Sequence, residues 1–293
     1  MDLIGDNRFV FLLGFPLIML AMLYLSALLG FKWQGIWLNS PINSLINKAP
    51  RPLRLVMSST VGAVTPFCSC TTIPGFAIII ESGLGLDTAM AFLIASPTID
   101  PAGTLLLALL FGVKLTAVYT IGCFTVSIIG GWLLGRIFTV RDVNPLLLFN
   151  CTEEDNHLTW TEAASRAWLY IRRFWWVVVA STAVGFTIYD YVPSEIISSV
   201  PAWGNNFAVP LAAVAGVFVY AHLAVLIPIG TALLAKGMAP GIVLAFLASS
   251  AGISPPEIML LLKMVSFRLT VSYIIITLTL ISLMGFMANM IGK

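Results

Sequence analysis

Apolar blocks long enough to cross a bilayer alternate along this chain with shorter ones split by proline and glycine. Phe9 to Leu29, Val113 to Ile137, Trp168 to Tyr189 and Val265 to Ile291 each read as an unbroken helix. At 1.5 Å per residue, such lengths match a hydrocarbon core of about 30 Å. Leu55 to Ile80 is equally apolar but is interrupted by PFCSCTTIP, Pro66 to Pro74, and therefore predicts two half-helices around a break. Asp87 to Ser96 and Ala102 to Phe111 are each near 15 Å as helix, about half a membrane, and flank the segment SPTIDP from Ser96 to Pro101. Val209 to Ala235 and Pro240 to Leu262 complete the apolar content of the second half. Irregular backbone at membrane depth survives only where it is buried in protein or lines a wet cavity, so the breaks are the first places to look for a site.

The chain carries an internal repeat. Sliding it by 154 residues aligns Pro74 with Pro228, Gly83 with Gly237, Ala91-Phe92-Leu93 with Ala245-Phe246-Leu247, Ser96 with Ser250, Pro101 with Pro255 and Tyr119 with Tyr273. Of the 59 positions from Ile73 to Gly131, 17 are identical without a gap. Shared apolar composition would match many leucines but would not keep prolines and glycines in register. Duplicated segments interrupted at corresponding positions are the signature of secondary transporters whose site lies at the repeat interface.

Composition agrees with this and removes other classes. The 293 residues are 59% hydrophobic and 10% charged, with mean hydropathy +0.99. That describes an all-α polytopic membrane protein, and the net charge of +2 argues against nucleic acid as a partner. The N-terminus lacks a basic region followed by a small-residue cleavage site, so Phe9 to Leu29 is expected to be a retained span. The expected organisation is a first transmembrane repeat over 1–140, a cytoplasmic linker over 141–167 and a second repeat over 168–293.

Charge arbitrates the topology. Eight spans would divide the basic residues about evenly between the two sides, against the positive-inside tendency. If Asp87 to Phe111 and Pro240 to Leu262 are instead re-entrant hairpins, six spans remain and the two repeats are inverted. With the loop after the first span placed in the cytoplasm, only Arg8, Lys114 and Lys293 of the 15 basic residues fall outside, as do both termini. Six spans plus two hairpins is therefore the expectation, with eight spans as the alternative. The membrane is read as the cell inner membrane.

Cys68 and Cys70 bring soft-ligand and redox chemistry into the first break, beside Ser69 and Thr71. Under the repeat offset Cys68 corresponds to His222 and Cys70 to Ala224, so both halves offer a soft or borderline ligand at one place in a broken helix. The tips of the paired short segments add Ser96, Thr98 and Ser250 as polar contacts for a substrate. Asp100 is the candidate for proton or cation coupling, because an ionisable group at membrane depth costs several kcal/mol unless paired or wet. It is equally placed to cap the helix starting at Pro101. Glu257, after Pro255-Pro256, sits where a carboxylate favours the helix dipole, and its counterpart is Gly103. No cofactor, metal centre or catalytic group is expected. The partners implied are a small-molecule substrate, the lipid bilayer and a coupling proton or cation, with a homo-oligomer left open.

PFCSCTTIP, followed by a glycine turn and AFLIASPTIDP, resembles the prokaryotic predicted-permease family that includes ArsP-type organoarsenical efflux permeases and the YraQ proteins. The resemblance covers roughly Leu55 to Ile137 and Val209 to Ile291. It implies a multispanning permease, usually drawn with eight spans. In the ArsP branch it implies export of trivalent organoarsenicals, with Cys68 and Cys70 as thiolate contacts to the metalloid. The expected function is thus secondary-active export of a soft, thiol-reactive substrate by alternating access. A membrane thiol redox or sulfur-handling protein using Cys68 and Cys70 is the alternative.

Overall fold

The computed structural model describes residues 49–64, 72–144, 205–219, 223–235 and 237–291, with isolated positions at 24, 28, 161, 162, 164, 165, 168 and 172. The spans expected at Phe9 to Leu29 and Trp168 to Tyr189 lie almost wholly outside these residues. In the first half the helices are α1 (Arg51–Val64), α2 (Thr72–Glu81), α3 (Leu86–Thr98), α4 (Pro101–Phe111) and α5 (Val113–Ile137). In the second they are α6 (Asn205–Phe218), α7 (Leu223–Ala235), α8 (Pro240–Gly252), α9 (Pro255–Met264) and α10 (Phe267–Ile291). Moving the bounds of α1, α3 and α5 by 154 residues reproduces those of α6, α8 and α10, so the repeat seen in sequence is a repeat of structure. Among the described residues there is no sheet, only one antiparallel bridge between Val143 and Val265.

Local chemistry sets the boundaries. Pro101, Pro240 and Pro255 each occupy the first helical turn, where the missing N–H costs nothing. Gly83 at φ 74° and Gly237 at φ 85° turn the chain after α2 and α7, a backbone shape that glycine adopts without penalty.

The half-length helices do not pair as the charge pattern suggests. α3 and α4 are bent by 47°, and Pro240–Gly252 and Glu257–Met264 by 50°. Each second leg therefore runs on past its break, and α3 with α4 spans about 36 Å, enough to cross. It is α1 and α2 that double back. α1 runs beside α3 in the same direction: the Arg51 guanidinium pairs with Asp87 at 2.9 Å, and the Ser58 hydroxyl donates to the Thr88 carbonyl at 2.7 Å. Gly62, further along, abuts the Phe92 carbonyl, Ala95 and Ser96. α2 returns past the Phe92 ring at Gly75 and ends at Glu81, one tight turn before α3 begins. α1 starts and α2 ends on one face, so these two helices are the legs of the re-entrant hairpin. Asp87 to Phe111 is a broken span, which corrects the sequence assignment.

The second half repeats this upside down. Val209 near the start of α6, Gly241 at the start of α8 and Gly285 lie together, so α6 and α7 also form a hairpin with both ends on one side. α7 runs alongside α4 in the same direction, with Leu223 against Gly103 and Gly230 against Phe111. The base of the second hairpin is therefore at the far side from Arg51 and Asp87. The repeats are inverted, and among the described residues each half holds one hairpin, one broken span and one unbroken helix long enough to cross.

Close approach is made possible by small residues, as is usual where helices meet without a hydrophobic driving force. A Cβ at Gly216 would lie 2.7 Å from the Phe246 carbonyl, and one at the equivalent Gly62 would lie 3.0 Å from the Phe92 carbonyl. The core between them is fully buried, including Phe76, Leu93, Leu244 and Leu247.

Candidate functional site

The breaks of the two broken spans meet. A methyl group at Gly252 would collide with the Thr98 side chain. Positions 98 and 252 are equivalent under the repeat, so this contact lies on the pseudo-two-fold axis. At each break the carbonyl end of one helix faces the amide end of the next, which gives partial negative and positive charge in one place.

Asp100 caps α4: its Oδ2 accepts the Gly103 N–H at 2.6 Å, and the residue is buried. Its side chain thus fills the capping role that the sequence assigns to an aspartate before proline. Leu223, the first described residue after the second hairpin tip, packs on Gly103 beside that carboxylate. Thr98 returns its hydroxyl to the Ile94 carbonyl at 2.7 Å. Ser250 donates to the Val219 carbonyl, at the last described residue before the second tip. Ser96 is buried on the same leg as Thr98. Thr98, Asp100 and Ser250 therefore line the breaks or touch residues that flank a hairpin tip. Cys68, Ser69, Cys70, Thr71 and His222 lie outside the described residues.

Two tyrosines that the sequence reading aligned without assigning a role fasten the breaks. The Tyr119 hydroxyl donates to the Thr98 carbonyl at 2.9 Å, and Tyr273 reaches the equivalent Gly252 carbonyl at 3.1 Å. Each satisfies a carbonyl that the break leaves without a helical partner. The halves then diverge. Tyr273 also lies 2.9 Å from Glu257 Oε1, a carboxyl group that is 0% exposed and whose Oε2 has no partner. The signal for Glu257 was present in the sequence as a carboxylate within an apolar block, but its glycine counterpart hid it.

Among the described residues, no three His, Cys, Asp or Glu side chains group to hold a metal ion. The arrangement brings half-helix ends and one buried carboxyl from each repeat to the two breaks.

Inverted repeats, each with a re-entrant hairpin and a broken span meeting at the axis, define a membrane protein of the transporter class. The family model ArsP_1, described as predicted permease, matches residues 10–290, and the chain belongs to that family. No curated protein and no solved structure matches it.

Proposed function

We propose that this chain is a secondary-active permease of the cell inner membrane that exports a soft, thiol-reactive small molecule such as a trivalent organoarsenical. The observation that carries the reading is the meeting of the two breaks at Thr98 and Gly252, with Leu223 of one hairpin against Gly103 of the other repeat. A site built from both repeats is opened to either side when they rock against each other, which is alternating access. Cys68 and Cys70 hold the substrate, with Ser69, Thr71 and His222 beside them and Ser96, Thr98 and Ser250 as polar contacts. Exchange for a proton or cation drives the cycle, with Asp100 as one coupling carboxylate.

The hairpin assignment fits the charge distribution. With the loop after the first span inside, 11 of the 15 basic residues are cytoplasmic, and only Arg8, Lys114, Lys236 and Lys293 lie outside.

Everted vesicles containing the full chain are expected to accumulate phenylarsine oxide, and the double variant Cys68→Ser, Cys70→Ser to lose that uptake. Uptake by the double variant equal to wild type removes the thiols from the mechanism. No uptake by either, beside a positive control permease, removes the organoarsenical.

A further inference from the structure

The hydrogen bonds around Tyr273 do not close unless one more proton is present. A phenol has a single proton to donate. In the first half that proton goes to the Thr98 carbonyl. In the second half the equivalent Gly252 carbonyl stands at 3.1 Å, and Glu257 Oε1 stands at 2.9 Å from the same phenol oxygen. If Glu257 is ionised, its carboxylate keeps the Ser254 backbone N–H as a donor, but the one Tyr273 proton cannot serve both Oε1 and the Gly252 carbonyl, and one of these two contacts is left without a proton. If Glu257 is neutral, its O–H donates to Tyr273, Tyr273 donates to Gly252, and all three groups are satisfied.

Surroundings point the same way. Glu257 is fully buried and Oε2 is unpartnered, a costly state for a charge and a tolerable one for half of a neutral acid. The ionisable group that faces it from α10 is Tyr273, and α8, which leads into the break, carries none. Lys263 lies six residues further along α9, and Arg268 five residues before Tyr273. Thr277, one turn beyond Tyr273 on the same face of α10, is also buried with an unpartnered hydroxyl.

We propose that Glu257 and Tyr273 form a proton-binding site at the second break, and that this proton is the ion exchanged for substrate. When the break opens to water, the proton leaves Oε1 for solvent, and the Tyr273 O–H turns from the Gly252 carbonyl to the carboxylate. That releases the carbonyl next to the Thr98 contact on the axis, so the charge state of Glu257 is felt where the repeats meet. The coupling role rests on the permease reading above, whereas the proton site does not.

Infrared difference spectra of the full chain in lipid, recorded while pH is stepped through neutrality, test the site without any substrate. The expected result is a carboxylic-acid carbonyl band that disappears in Glu257→Gln and shifts in Tyr273→Phe, a variant that removes one oxygen and keeps the ring. A wild-type spectrum with no such band, or one unchanged in Glu257→Gln, overturns the proposal. Phenylarsine oxide uptake under proton gradients of either sign tests the coupling. Glu257→Gln is expected to lose the response to the gradient, and a retained response overturns the coupling role. Absence of uptake in wild type, with the infrared band present and lost in Glu257→Gln, sinks the substrate class while upholding the proton site.

Discussion

The two repeats share a backbone and differ in the chemistry hung upon it. At the base of the first hairpin, Arg51 is tied to Asp87 by a charged hydrogen bond, while at the base of the second the Asn289 side chain accepts the Gly241 N–H at 2.7 Å. At the breaks, Asp100 and Gly103 in one half stand against Ser254 and Glu257 in the other. The contact of Gly103 with Leu223 corresponds, in sequence, to the pair Glu257 and Ser69. Backbone features such as the glycine turns, tyrosine clasps and small-residue crossings are kept in both halves because packing demands them. Ligand-type residues are not kept, which accords with the proposed function, in which substrate and coupling ion are held in different places.

The inverted arrangement is tested first, by an all-or-none effect. Cysteines introduced at Lys114 and Lys236 are expected to react with an impermeant thiol reagent from outside, and one at Lys263 only from inside, in a background where the native cysteines are replaced. Labelling of position 236 from the cytoplasm would restore Pro240 to Leu262 as the hairpin.

Next in size is the crossing of each hairpin over its broken span. Gly216→Ala places a methyl group 2.7 Å from the Phe246 carbonyl, and overpacking of this kind costs about 1–3 kcal/mol. Gly62→Ala meets its nearest atom at 3.0 Å and is expected to cost less. Thermal unfolding in detergent ranks the two, and equal losses would mean the repeats pack alike here.

The smallest effects concern the bases. Arg51→Ala leaves the buried Asp87 without its cation, and because the guanidinium is half exposed the loss is about 1–2 kcal/mol. Asn289→Ala removes one neutral hydrogen bond, worth about 1 kcal/mol. High salt is expected to narrow the gap between Arg51→Ala and wild type and to leave Asn289→Ala unchanged. A salt-independent Arg51→Ala would make its tie a packing contact.

Much of this was legible in the chain. Prolines and glycines in register revealed the repeat, and aspartate before proline marked the start of α4. Which segment doubles back was not legible, because both candidates are short and interrupted, and of the fifteen basic residues only Lys236 changes side between the two assignments. The deciding fact is the pairing of Arg51 with Asp87, residues 36 apart whose meeting is a property of the folded molecule. Glu257, following two prolines at a helix start, reads in sequence as a dipole partner, and its counterpart Gly103 lends it no symmetric support as a site. Comparison across a repeat highlights what is shared, and the proposed role of this residue depends on its being unshared.

The contact of Thr98 with Gly252 has a mechanical meaning. Two inverted repeats that trade conformations turn an inward-open carrier into an outward-open one, and every contact between non-equivalent residues must then be exchanged for its mirror. A contact between equivalent residues is its own mirror. In the proposed alternating access, Thr98 and Gly252 can therefore stay together through the whole cycle, as a pivot around which the rest of the interface changes hands.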